Sequence, residues 1–441
     1  MHNLHRMYIY RELQEKIDSY FSSTLPKGLI LTGVVGCGKT TLIDKCLEGF
    51  SQSGSGTGYS VFKFTCDDLQ FREAISQNTK HIEETVRSQT QKKALIFIDE
   101  VQKSENVFDA LKYAFDKSQI SFIVSGSNPA YLATEAKKRL QRRAELFFML
   151  PFSMSEILCS EKLSSQDLVK EFWNLIFTEK KLPVVNSKIE KSPRIEVLSK
   201  NYFSYGGIPL VHLTDSQEAK LIEIRKTVER GFELLSFENN NLYDAVEVEL
   251  SRLHSREFSY QGIFQKTRLR RREAINKVID HLLNHGYLVK KKPKIFHEKK
   301  ITYLSVFSFI DPGIVSYLSG ETEFSESEKG YRVEGMVHSS LDYKLKNYPL
   351  KSQLEYFKPY LIDGQDKIKY QQGEIDFVLS VGTRQIPIEV KAASHTSSIQ
   401  TSLMEDFLRK HKNAPFGIAL YGGVPMPDPK KNILFWPYWG I

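Results

Sequence analysis

Cysteine is scarce in this sequence. Four residues, Cys37, Cys46, Cys66 and Cys159, are scattered over 441 positions without metal-ligand spacing. That excludes a disulfide-stapled scaffold and leads us to expect a reducing cytoplasm. Long apolar runs are also missing. None approaches the roughly 20 residues that span a bilayer, so no membrane contact is expected. The opening Met-His-Asn-Leu-His-Arg lacks the apolar stretch of a secretory signal, and none is expected there. No internal repeat is visible. Core-forming residues, by contrast, are plentiful. A content of 41% hydrophobic and 12% aromatic residues excludes a disordered chain, and the length suits roughly three domains.

The formal net charge is +8, and its location is more informative than its size. Between Lys266 and Lys300, twelve Lys or Arg stand against three acids (Glu273, Asp280, Glu298), a surplus of nine that accounts for the whole excess. Such a stretch is the electrostatic footprint of a polyanion partner. A solvated basic helix and turn is the plain alternative.

Near the start, Leu29–Thr32 reads as a short buried strand. It runs into Gly33-Val34-Val35-Gly36-Cys37-Gly38-Lys39-Thr40, then into an amphipathic helix with Leu42, Ile43, Cys46 and Leu47 on one face. This is a phosphate-binding loop. Gly33, Gly36 and Gly38 let backbone N–H groups wrap phosphates at a helix N-terminus. Lys39 is expected to reach the β/γ-phosphates, Thr40 to ligate Mg²⁺, and Thr41 to join them at the helix start. Ala94–Ile98 is a continuous apolar run, as in a strand buried on both faces, and it ends in Asp99-Glu100. Asp99 is the expected holder of the Mg²⁺ shell and Glu100 the group that polarises an attacking water. The next strand, Ile120–Val124, leads to Ser125-Gly126-Ser127-Asn128, where Asn128 could sense the γ-phosphate.

The strings Phe97-Ile-Asp-Glu-Val-Gln-Lys103 and Val124-Ser-Gly-Ser-Asn128 resemble a family of prokaryotic AAA+-type P-loop ATPases with a winged helix and a nuclease-like C-terminal module. Leu140-Gln-Arg-Arg143 and Pro151-Phe-Ser-Met-Ser-Glu156 are similar to two further family segments. The resemblance implies that Arg143 touches the γ-phosphate, in the same chain or from a neighbouring subunit. Here Arg142 replaces the family's usual glycine, and Val34-Val35 stands where Pro-Arg is common. Tyr202–Leu210 and Asp311-Pro312-Gly313 also resemble family segments; the first reads alone as a Gly-Gly turn.

Helical spacing over residues 167–180 and 215–237 suggests a lid. Then come three helices (243–255, about 260–264, and 270–285) and two extended segments, 287–292 and 301–309, around the basic Lys290–Lys294 turn. That is the order of a winged helix-turn-helix. In such a fold Arg268, Arg270, Arg271, Arg272 and Lys277 are expected to meet phosphates or bases, and Lys290–Lys294 to act as the wing. Many winged helices instead pack against proteins.

Toward the end, Gly373-Glu-Ile-Asp-Phe-Val-Leu379 opens a strand with Asp376, and Ile386–Lys391 delivers Glu389 and Lys391 two apart, on one strand face. With Glu334 on a preceding helix, the order is similar to the PD-(D/E)XK nuclease core. That resemblance implies that Glu334, Asp376 and Glu389 hold Mg²⁺ or Mn²⁺ while Lys391 positions water. An ordinary polar hairpin remains the alternative.

The expected fold class is α/β, a P-loop NTPase with a parallel sheet (residues 1–150). A helical lid (151–240), a winged helix (241–320) and an α/β nuclease-like domain (321–441) follow. The expected function is ATP binding and hydrolysis coupled to nucleic-acid binding and metal-dependent cleavage, with DNA ahead of RNA and a second copy of the chain as partners. The competing expectation is a nucleotide-controlled switch with an inert terminal domain.

Overall fold

The apolar run Ala94–Ile98 is buried along its whole length and lies inside a five-stranded parallel sheet. In the computed structural model, which describes residues 8–21, 27–52, 56–185, 189–232, 240–267, 271–294, 304–362, 368–370 and 372–441, the chain forms two compact units. The first comprises Met1–Pro151 with Asn284–Tyr287, and the second Phe152–Leu283 with Leu288–Ile441.

The first unit begins with α1 (Glu12–Phe21), β1 (Gly28–Thr32), α2 (Lys39–Gln52) and β2 (Tyr59–Thr65). It continues through α3 (Leu69–Gln77), α4 (His81–Gln89), β3 (Lys93–Asp99), α5 (Val107–Ser118), β4 (Ser121–Gly126), α6 (Pro129–Arg139) and β5 (Ala144–Phe148). The strand order is β2-β3-β4-β1-β5, all parallel. Helices on the faces explain why the inner strands are apolar without alternation. Phe108, Leu111 and Ala114 of α5 pack with Ile96, Ile98 and Val124 in one core. The loop after β1 and the acids ending β3 share the carboxyl edge of the sheet, where α/β folds bind ligands.

The second unit opens with α7 (Met154–Ser160), whose Ser153 and Glu156 form a reciprocal capping box. The Pro151–Glu156 string is therefore a helix start. Then come α8 (Gln166–Thr178), α9 (Pro193–Tyr205), α10 (Pro209–His212), α11 (Gln217–Phe232), α12 (Asn240–Arg252), α13 (Tyr260–Lys266) and α14 (Arg272–Asn284). Strands β6 (Leu288–Pro293) and β7 (Val306–Phe309) pair antiparallel. After α15 (Pro312–Ser319) and α16 (Glu326–Lys346) follow β8 (Ser352–Phe357), β9 (Tyr360–Ile362), β10 (Ile368–Tyr370), β11 (Ile375–Val381) and β12 (Arg384–Val390). Helix α17 (Ser402–Lys410), β13 (Gly417–Tyr421), β14 (Met426–Asp428) and β15 (Ile433–Pro437) complete the chain.

Two features position chemistry in this unit. First, β6 and β7 join the larger sheet, in the order β14-β15-β13-β12-β11-β8-β6-β7, with Lys292 and Pro293 aligned to Glu355 and Tyr356. The basic stretch expected as a turn is thus a strand. Its period of two exposes Lys290 and Lys292 but buries Lys291. Arg268, Arg270, Lys299, Lys300 and the expected strand start 301–303 lie outside the described residues. Second, Asp311 caps α15 and ties it to the Gly206-Gly207 turn, accepting from Gly207 N at 2.7 Å and Gly313 N at 2.8 Å. The Tyr202–Leu210 and Asp311–Gly313 segments meet in one buried joint. Burial pushes the Asp311 carboxyl up to about 6 against the pull of those N–H groups. Among the described residues no helix is long and apolar enough to cross a membrane.

Candidate functional site

The phosphate loop is built as its glycines require. Gly36 and Gly38 have φ of +76° and +94°, the left-handed region that glycine occupies without a Cβ clash. At Gly33 a Cβ would sit 2.2 Å from the Met149 carbonyl. Lys39 is buried and donates to the Gly33 and Val34 carbonyls at 2.9 and 3.0 Å. Thr40 and Thr41 are exposed in the first turn of α2. The Thr40 hydroxyl donates to Asp99 Oδ2 at 2.8 Å, joining the two strand ends that sequence had connected only by motif. Asp99 Oδ1 takes the Ser125 hydroxyl and, at 3.0 Å, the Glu100 N–H. A hydroxyl and a carboxylate in contact at a helix N-terminus fit Mg²⁺ brought in on nucleotide phosphates.

Glu100 sits at φ +55°, ψ +41°, a left-handed conformation that costs a non-glycine residue on the order of 1 kcal/mol or more. Its Oε2 accepts from Gln102 Nε2 and from Ser127 Oγ at 3.2 Å, while Gln102 Oε1 takes the Ser127 N–H at 3.2 Å. Gln102 lies within the Phe97–Lys103 string and Ser127 within Val124–Asn128, and only their pairing in space ties both to Glu100. Arg11 escaped entirely. It is buried and reaches the Leu150 carbonyl at 2.5 Å and the Cys37 carbonyl at 3.4 Å. No motif flags a lone arginine that bridges two carbonyls so distant in sequence.

Asn128 lies at the end of β4 and caps α6, its Oδ1 accepting from Tyr131 N. Arg143 does not join the site within its own chain. It immediately precedes β5, and Gly28 pairs with Ala144, so Arg143 is at the opposite edge of the sheet, about five strand residues or roughly 16 Å from the loop. There it forms a two-pronged pair with Asp116, 2.6 and 2.8 Å.

The C-terminal carboxylates do converge. Phe377 pairs with Ile388, and the same antiparallel count sets Asp376 opposite Glu389. Lys391 Nζ lies 2.6 Å from Glu389 and 3.9 Å from Asp376, and Asp376 Oδ2 accepts from Val390 N at 2.7 Å. The opening Asp and the later Glu-x-Lys therefore form one centre. Burial and the Asp376 charge push the Glu389 carboxyl up. Lys391 is held up by Asp376 and Glu389.

Glu334, expected to complete a metal site, stands beside Asp376 but is paired with Lys291. Lys291 donates to Glu334 Oε1 at 2.6 Å and to the Asp376 carbonyl at 3.0 Å, with its ammonium 4.2 Å from the Phe377 ring centre. Three acids thus share two lysines, and among the described residues no three His, Cys, Asp or Glu side chains are arranged to hold a metal ion. As arranged, the donor set does not fit the expected three-carboxylate Mg²⁺ or Mn²⁺ site.

Comparison with known proteins bears on the first unit. Residues 26–158 match the AAA domain family. No curated protein matches the chain. Among solved structures, similarity is found to the Aeropyrum pernix ORC1 protein in complex with DNA (14% identity, 70% of this chain and 91% of that one, TM-score 0.30). The Saccharomyces cerevisiae Hsp104–ADP complex is similar over 77% of this chain and 43% of that one (15% identity, TM-score 0.32). Domain III of the Thermotoga maritima replication initiation protein DnaA is similar over 51% and 87% (15% identity, TM-score 0.30).

Proposed function

We propose that the protein binds and hydrolyses ATP in its first unit and uses nucleotide state to govern nucleic-acid binding by its second. The Thr40–Asp99 contact carries this reading, because it joins the phosphate-loop hydroxyl to the acid ending β3. Lys39 and the loop N–H groups bind the triphosphate, Thr40 and Asp99 hold Mg²⁺, and Glu100 orients water for attack on the γ-phosphate. Mg²⁺ screens the phosphate charge; the protein's own part is placement. For nucleic acid, α14 supports the reading as the third helix of a winged helix. It buries Ile275, Val278, Ile279 and Leu282 and exposes Arg271, Arg272 and Lys277, with Lys290 and Lys292 exposed on β6.

Lys39→Ala should lower ATP hydrolysis at least about 100-fold by removing the cation at the β/γ-phosphates. Combined Arg271→Ala, Arg272→Ala and Lys277→Ala should weaken duplex DNA binding and flatten its salt dependence by about one unit per lost phosphate contact. Phosphate release and fluorescence anisotropy at several salt concentrations read these effects. Unchanged hydrolysis in the lysine variant overturns the reading.

The convergence of Asp376, Glu389 and Lys391 favours a second reading, metal-dependent cleavage by a PD-(D/E)XK-like centre. The engagement of Glu334 by Lys291 favours an inert one, and we place the inert centre first. Incubation with plasmid and single-stranded DNA, with and without ATP and Mn²⁺, decides between them. Intact DNA is expected; cutting that needs Mn²⁺ and is lost in Asp376→Ala establishes the nuclease.

A further inference from the structure

Four residues between α14 and β6, Asn284–Tyr287, pack as part of the first unit. Gly286 holds φ +78°, and a Cβ there would come within 3.1 Å of the Pro129 ring and 3.9 Å of Val34. Glycine alone takes that backbone angle readily at so close an approach. Tyr287 is buried, its hydroxyl close to Val35 and Cys37 of the phosphate loop. His285 Nε2 lies 3.3 Å from Asn128 Nδ2.

The chemistry of this last contact is fixed by its surroundings. Asn128 Oδ1 is committed to the Tyr131 N–H at 3.1 Å, so the amide nitrogen faces the imidazole. An amide NH₂ only donates, and Nε2 is therefore the acceptor. Asn128 stands at the end of β4, one residue after Ser127, which touches the catalytic candidate Glu100. Its donor is thus at the edge where a terminal phosphate would arrive. A phosphate oxygen is an anionic acceptor and binds a donor more strongly than a neutral ring nitrogen does.

We propose that His285 and the terminal phosphate of a nucleoside triphosphate compete for the Asn128 Nδ2 donor, making the Asn284–Tyr287 turn a reporter of that phosphate. The turn is held while His285 accepts from Asn128 and is released when the phosphate takes the donor. Chain continuity passes the release to α14 on one side and β6 on the other. This rests on ATP binding at the phosphate loop as proposed above.

The test uses the full chain, ATPγS and ADP, with affinities from calorimetry. His285→Ala removes the competitor and should tighten ATPγS about fivefold, the scale of one net hydrogen bond, while leaving ADP within about twofold. His285→Gln restores an acceptor and should return the ATPγS-to-ADP ratio toward wild type. Backbone amide exchange at Gly286 and Tyr287 should rise with ATPγS and stay low with ADP in the wild type. An unchanged ratio in His285→Ala, equal tightening of both nucleotides, or exchange indifferent to ATPγS overturns the competition. Failure of the wild type to bind either nucleotide is a different result, since it overturns the ATPase reading itself.

Discussion

Lys291→Ala should destabilise the second unit by about 3–5 kcal/mol, the cost of stripping one partner from a buried ion pair. The Lys291 side chain is 4% exposed and that of Glu334 14%. Removing the ammonium strands a largely buried carboxylate beside Asp376. Burial already pushes the Glu334 carboxyl up from 4.5, with Lys291 pulling against it. An acid whose folded-state pKa is raised loses stability as pH climbs through the interval above its unfolded value, because the folded state holds the proton longer. Without Lys291 that interval widens upward. With Lys291 present the carboxyl already sits at about 7, so the variant's deficit should be small in acid and grow as pH climbs through and above that value. Lys291→Met with Glu334→Leu, which removes both charges, should recover most of the loss. Urea unfolding followed by tryptophan fluorescence reads this unit alone, since all three tryptophans, Trp173, Trp436 and Trp439, lie within it. A deficit under about 1 kcal/mol would mean that Lys291 is a surface-type pair and that Glu334 remains available to a metal.

Sequence legibility followed local chemistry. The phosphate loop and the Ile-Asp-Glu strand end could be read because glycine spacing and a two-face-buried strand each leave a local signature. The parallel sheet followed from the same pattern. The meeting of Asp376 with Glu389 and Lys391 was also legible, because one antiparallel register determines it. What stayed hidden depends on residues far apart in the chain. Lys291 read as one basic residue among several, and only the pairing of β6 beside β8 turns it inward to Glu334. Arg143 matched a family position, yet parallel register puts it on the far edge of the sheet, beside Asp116. Gln102 was in plain view; its role appears only when β4 brings Ser127 within reach. His285, just past a helix expected to face nucleic acid, packs with the first unit and lies 3.3 Å from Asn128.

Glu100→Gln should reduce the turnover of ATP by roughly 10²–10⁴, the usual contribution of a general base, with little change in nucleotide affinity. The substitution keeps the side-chain shape and an oxygen able to accept from Gln102 and Ser127, so only the basic function is removed. A second variant separates chemistry from strain. Glu100 occupies the left-handed region at φ +55°, and glycine relieves a conformational cost of about 1 kcal/mol or more there. Glu100→Gly should therefore be as stable as the wild type or more so, while hydrolysing ATP as poorly as Glu100→Gln. That combination marks a residue kept against its backbone preference for what its carboxylate does. Steady-state phosphate release supplies the rates, calorimetry the affinity, and thermal unfolding of the first unit the stability. If Glu100→Gly loses stability and Glu100→Gln retains turnover, the strained glutamate is a structural turn residue and the water-orienting group must be sought elsewhere along the same sheet edge.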